Sequence, residues 1–243
     1  MRLHWDYIAV LVFLGVIAPT LGYFRVRRFL QIPSTTSMER LTLYTSTIAF
    51  QWLIVAFIIW RAAVHGVRPD QFGLVIRNGA LTASVAICLA LVILANQVFS
   101  IRKLASNPHE IKGMIVEMAL KIFPQGVIER LAFVALVITV AICEEFIYRG
   151  FIQGLFQSVG GSVVAGIVGS ALLFAAAHVY QGRRGLVSTF VVGALFATVR
   201  WWSGNLLPSI CAHFVADLAA GFYAPGKLRA ALATRSRDTG AGA

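Results

Sequence analysis

Seven apolar runs of roughly membrane-spanning length constrain this chain more than any other feature. About twenty apolar residues cross a ~30 Å hydrocarbon core as a helix. Runs near 5–24, 43–60, 79–100, 131–153, 161–180, 186–202 and 206–223 approach or meet that length, the sixth being the short one. The expectation is an all-α polytopic membrane protein, a bundle of seven transmembrane helices. An eighth would be added if 111–123 also entered the bilayer, but Lys112, Glu117 and Lys121 break up its apolar residues. An amphipathic interfacial helix ended by Pro124 suits that stretch better.

Composition supports the membrane class. Only 13% of the residues are charged and the mean hydropathy is +0.79, whereas a soluble domain carries nearer a quarter charged residues. The net charge of +11 could point to nucleic acid, but the basic residues flank the apolar runs and no basic face is interleaved with aromatics. The bias sets orientation instead. Fifteen Lys and Arg fall in the odd-numbered loops and the C-terminal tail, against five in the N-terminus and even-numbered loops. The C-terminus is therefore expected in the cytoplasm and the N-terminus outside, with the first run retained as a span because no small-x-small cleavage site follows it. Cys88, Cys143 and Cys211 all lie in apolar runs and read as packed hydrophobes. Three regions result: residues 1–121 with three spans and the amphipathic segment, a core over 122–224, and a disordered basic tail over 225–243.

Ionisable residues inside such runs are expensive and mark function by default. Cys143-Glu-Glu-Phe-Ile-Tyr-Arg-Gly150 places Glu144, Glu145 and Arg149 in the fourth run. Glu145 and Arg149 are four apart, with the acid first, so they share a helix face and pair. Glu144 points about 100° away and has no basic residue four positions on. That leaves Glu144 as the candidate general base and Glu145 as the brace for Arg149. His178 ends Phe174-Ala-Ala-Ala-His178, and His213 opens His213-Phe-Val-Ala-Asp217. Asp217 is expected to accept from the His213 ring and fix its tautomer. His4, His65 and His109 sit at span edges or in loops and need no special role.

This set holds no serine or cysteine nucleophile beside a base. It suits water activated by a carboxylate and an imidazole, with a second imidazole polarising a carbonyl. A zinc ion on Glu144, His178 and His213 is the alternative, although His-Glu-x-x-His is absent. Small residues four apart, such as Gly166 with Ser170 and Gly193 with Ala197, predict close helix packing around the charged stretch.

Glu-Glu-x-x-x-Arg-Gly, Phe-x-x-x-His and His-x-x-x-Asp, in that order on successive late spans, resemble the CPBP intramembrane proteases, also called the CAAX-protease and bacteriocin-processing, or Abi, family. Pro124 and Glu129-Arg130 ahead of the acid pair belong to the same likeness, which covers about 122–223. The resemblance implies that Glu144 and His178 activate water, that Glu145 and Arg149 support them, and that His213 forms the oxyanion site. It implies a glutamic rather than a metal-dependent peptidase. Asp217 stands where the prenyl-protein proteases have Asn, which weakens any transfer of prenylated CAAX substrates. The expected activity is cleavage of a peptide or protein in or near the bilayer, in a prokaryotic plasma membrane, with no cofactor. A non-catalytic scaffold or immunity-like protein is the rival, and a proton-coupled transporter the third reading. One conflict stands: Arg183 and Arg184 place His178 near the cytoplasmic face, away from the depth of Glu144.

Overall fold

The computed structural model describes residues 1–107, 111 and 114–240, the side chains of 114, 115 and 235–240 excepted. His109, Lys112 and the closing 241–243 lie outside the described residues. Helices α1 (Trp5–Gln31), α2 (Ser37–Val64), α3 (Gly79–Ala105), α5 (Val127–Gly160), α7 (Val179–Ser203) and α8 (Leu207–Thr234) are long and apolar enough to cross a membrane. Between them lie the eight-residue α4 (Met114–Lys121) and the apolar α6 (Val163–Ala177). Among the described residues the regular elements are all helical. The chain is an all-α, polytopic integral membrane protein.

Each expected run contains a helix, but the short one is not the sixth. The α7 helix, counting its opening 3₁₀ turn, has 25 residues, whereas α6 has only 15, too few to cross unaided at 1.5 Å per residue. Gly161, in the left-handed conformation with φ 63°, ends α5, and the Ser162 hydroxyl accepts from the Ala165 amide to start α6. Such caps are worth about 1 kcal/mol and here force a hairpin. Thr36 and Glu39 form a reciprocal capping box on α2, and Asn78 caps α3.

Among the described residues three helices carry π turns. Those in α1 (Phe13–Ile17) and α8 (Ala219–Tyr223) lie just before Pro19 and Pro225. Proline has no N–H for the carbonyl four residues back, and the wider turns absorb that mismatch. The tail expected to be disordered from residue 225 is therefore helical on to Gly240. Its Leu228 is buried against Ile101, Val116 and Ala119, which also covers the apolar side of α4. The third π segment, Glu145–Ile152, contains no proline and lies at the charged stretch.

The α2, α6 and α8 helices surround α5. Arg40 on α2 makes a two-point ion pair with Glu129 on α5, at 2.8 and 2.9 Å, both side chains buried. At the opposite end of α2, Asp6 accepts from Arg61 at 2.6 Å and pairs with His65 at 2.9 Å. The first cluster fixes α2 against α5, and the second ties α1 to the end of α2.

Candidate active site

The acid pair sits where α5 changes from α to π geometry. Glu145 is fully buried, and its Oε1 accepts from Arg149 Nη1 at 2.9 Å. The i,i+4 pairing read from the sequence is present. The Arg149 guanidinium lies 4.1 Å from the centre of the Phe174 ring and donates from Nη2 to the Gly193 carbonyl at 3.4 Å. Close approach of α7 makes that last contact possible: a Cβ on Gly193 would stand 3.1 Å from the Phe174 ring and 3.3 Å from Arg149 Nη2.

The His213 ring takes a different partner from the expected one. Its Nδ1 lies 2.9 Å from Glu145 Oε1, whereas Asp217 Oδ2 is 3.7 Å from Nε2. An ionised Glu145 can only accept, so Nδ1 carries the hydrogen and Glu145, rather than Asp217, fixes the tautomer. The Nε2 atom is then flanked by Asp217 and, at 3.9 Å, by Glu144 Oε2. Within their own helix, His213 and Asp217 are neighbours by spacing, but the tighter contact comes from across the bundle.

Glu144 closes the regular part of α5. Its Oε1 accepts from Gln51 Nε2 of α2 at 2.9 Å. Its Oε2 is buried without a hydrogen-bond partner. The side chain retains 15% exposure and that of Asp217 35%, so the site opens to the surroundings on their side. Tyr148, Tyr180 and Asp217 lie within electrostatic range of Glu144. Gln51 and the two tyrosines were absent from the expected set. Gln51 had a legible signal, a polar amide in the middle of an apolar run, where side chains of that kind find partners.

His178 caps the end of α6, with Nδ1 2.8 Å from the Phe174 carbonyl. A carbonyl only accepts, so Nδ1 holds a hydrogen and Nε2 is left for other partners. The depth conflict disappears in the hairpin. Glu144 and His178 lie equally far, seventeen residues, on either side of Gly161, and α5 and α6 pack against each other. The two residues therefore reach similar heights, which distances measured from flanking arginines could not reveal. Phe174 joins the parts: its ring centre is 4.6 Å from that of His178, 6.0 Å from His213 and 5.1 Å from Tyr148.

Among the described residues no group of three His, Cys, Asp or Glu side chains is placed to hold a metal ion. Both histidine Nδ1 atoms of the set first considered engage protein acceptors, which fixes each ring's orientation and leaves its Nε2 open, and His213 Nε2 lies 3.9 Å from Glu144 Oε2. The other described histidines, His4 and His65, stack on each other at 3.7 Å beside Asp6, away from the acid pair in sequence and in contacts.

Residues 126–219 match the family model described as type II CAAX prenyl endopeptidase Rce1-like, in agreement with a CPBP-family protease. The matched stretch includes Glu144, Glu145, Arg149, His178, His213 and Asp217, and leaves α1 to α4 outside. A search of curated proteins and one of solved structures each returned no match. The family match supports protease activity, and in general an intramembrane endopeptidase acting on a peptide or protein substrate.

Proposed function

We propose that this chain is a glutamic-type intramembrane endopeptidase of the CPBP kind, with Glu144 as the general base. The observation that carries this reading is the division of labour between adjacent acids. Glu145 is sealed at 0% exposure by Arg149 and His213. Each acid keeps one buried oxygen without a protein donor, but the Glu144 side chain retains 15% exposure, in a site that remains partly open.

The chemistry follows from which atoms are free. Glu144 Oε2 takes a proton from water, the resulting hydroxide adds to the scissile carbonyl carbon, and the carbonyl oxygen becomes an oxyanion. His213, held through Nδ1, offers a protonated Nε2 as the donor to that oxyanion. His178 Nε2 accepts that proton from Glu144 and delivers it to the amine nitrogen as the C–N bond breaks. Charges prearranged in this way cost no reorganisation during the reaction, and removing one comparable donor lowers kcat by ~10²–10³. No step passes through a metal.

The substrate is a peptide or protein bond in or beside the bilayer. A prenylated CAAX substrate is named by the matched family's description, while Asp217 in place of Asn argues for a different specificity here. The Lys and Arg bias supports a cytoplasmic C-terminus, which would place His178 and the mouth of the site towards that side. The test is cleavage of a quenched fluorogenic transmembrane-helix peptide by purified protein in nanodiscs, with and without a zinc chelator. Wild-type activity should survive the chelator, and Glu144→Gln should abolish it while expressing and inserting normally. Stoichiometric zinc whose removal ends activity would contradict the proposal.

A further inference from the structure

The matched region ends short of the helix that touches the proposed base. Gln51 lies in the middle of α2, is 9% exposed, and donates from Nε2 to Glu144 Oε1 at 2.9 Å. A carboxylate with one oxygen engaged by a fixed donor has the other oxygen set in direction. That other oxygen, Oε2, is the one nearest His213 Nε2. Both remaining acceptors of the contact, Gln51 Oε1 and Glu144 Oε2, are buried without a protein hydrogen-bond partner. An unsatisfied buried acceptor is costly, so two on side chains joined by a hydrogen bond mark a place where a donor belongs. Water supplies two hydrogens, one for each.

Nor is the placement of Gln51 left to its own contact. Trp52, the next residue, donates from its indole to Thr139 Oγ1 on α5 at 3.3 Å. The Arg40–Glu129 pair holds α2 to α5 on the other side of Gln51 in sequence. The N-terminal half is thus attached to the site at one side chain and clamped on both sides of it.

We infer that Gln51 is a positioning residue for Glu144: its amide N–H aims the carboxylate, and its carbonyl oxygen takes the second hydrogen of the water that Glu144 deprotonates. This rests on the reading of Glu144 as the base. It extends the catalytic unit beyond residues 126–219 to α2, which composition and motif alone mark only as a membrane anchor.

The test compares full-length wild type, Gln51→Met, Glu144→Gln and, as a control at an exposed position of the same helix, Leu53→Ala, all in nanodiscs. Infrared difference spectra identify the Glu144 carboxylate band by its loss in Glu144→Gln, with no substrate needed. Gln51→Met, close in volume, should shift that band, and Leu53→Ala should leave it in place. On the fluorogenic transmembrane-helix peptide, Gln51→Met should lower kcat by roughly 10- to 100-fold with KM within about twofold. An unshifted band in folded Gln51→Met overturns the inference, as does a raised KM with kcat unchanged. If the band shifts but Glu144→Gln still cleaves, the contact stands and the assignment of the base falls.

Discussion

Glu145 Oε1 receives two donors, Arg149 Nη1 and His213 Nδ1, both at 2.9 Å. Arg149 is itself fully buried and covered by Phe174 and Phe196. Removing one member of such a pair leaves an uncompensated buried charge, at a cost of ~3–5 kcal/mol. Arg149→Ala should therefore lower the yield of folded protein and its thermal midpoint, measured by size-exclusion chromatography and scanning fluorimetry. Arg149→Lys should recover only part of the loss, because a point charge cannot both stack on a ring and fork between two acceptors. An Arg149→Ala protein as stable as wild type would contradict the role given to the pair. At this scale the sequence was informative wherever contacts are local. The four-residue spacing of Glu145 and Arg149 made their pairing legible. The same rule applied to His213 and Asp217 selected the weaker contact, because a ring chooses among all nearby acceptors and the better one stood on another helix.

The helices place these side chains through small residues and local irregularities. A Cβ on Gly166 would stand 2.8 Å from the Gln153 carbonyl oxygen of the facing helix, a clash with backbone that no rotamer change relieves. Ser170 donates to the Tyr148 carbonyl at 2.8 Å, and Gln153 to the Ala197 carbonyl at 2.8 Å. The small-residue spacing thus reads correctly as close packing. Gly166→Val should separate α5 from α6, destabilise the protein by ~1–3 kcal/mol and reduce cleavage by moving His178 away from Glu144. Normal thermal stability and activity in that variant would count against the hairpin as the device that sets their depth. The π segment at Glu145–Ile152 was not legible, because a wide turn without proline leaves no mark in an apolar pattern. The helical tail was missed for the opposite reason. Pro225 is a valid stop signal in isolation, and a preceding π turn together with burial of Leu228 overrides it.

For the molecule as a whole, the membrane class and the late-span motifs were legible because each depends on residue type in order along the chain. The contribution of the N-terminal half was not, since Gln51 gains meaning only when α2 is laid against α5. The chain then reads as one unit, with α5 to α8 carrying the acids and imidazoles while α2 steadies the base. That account predicts proteolysis in cells that depends on a single carboxylate. The most direct measurement is a quantitative comparison of membrane-protein termini between cells producing wild type and cells producing Glu144→Gln at equal, membrane-inserted levels. New termini within or beside transmembrane segments should be present with wild type and absent with Glu144→Gln. Identical sets of termini would contradict the central claim and leave the charge cluster as a structural element.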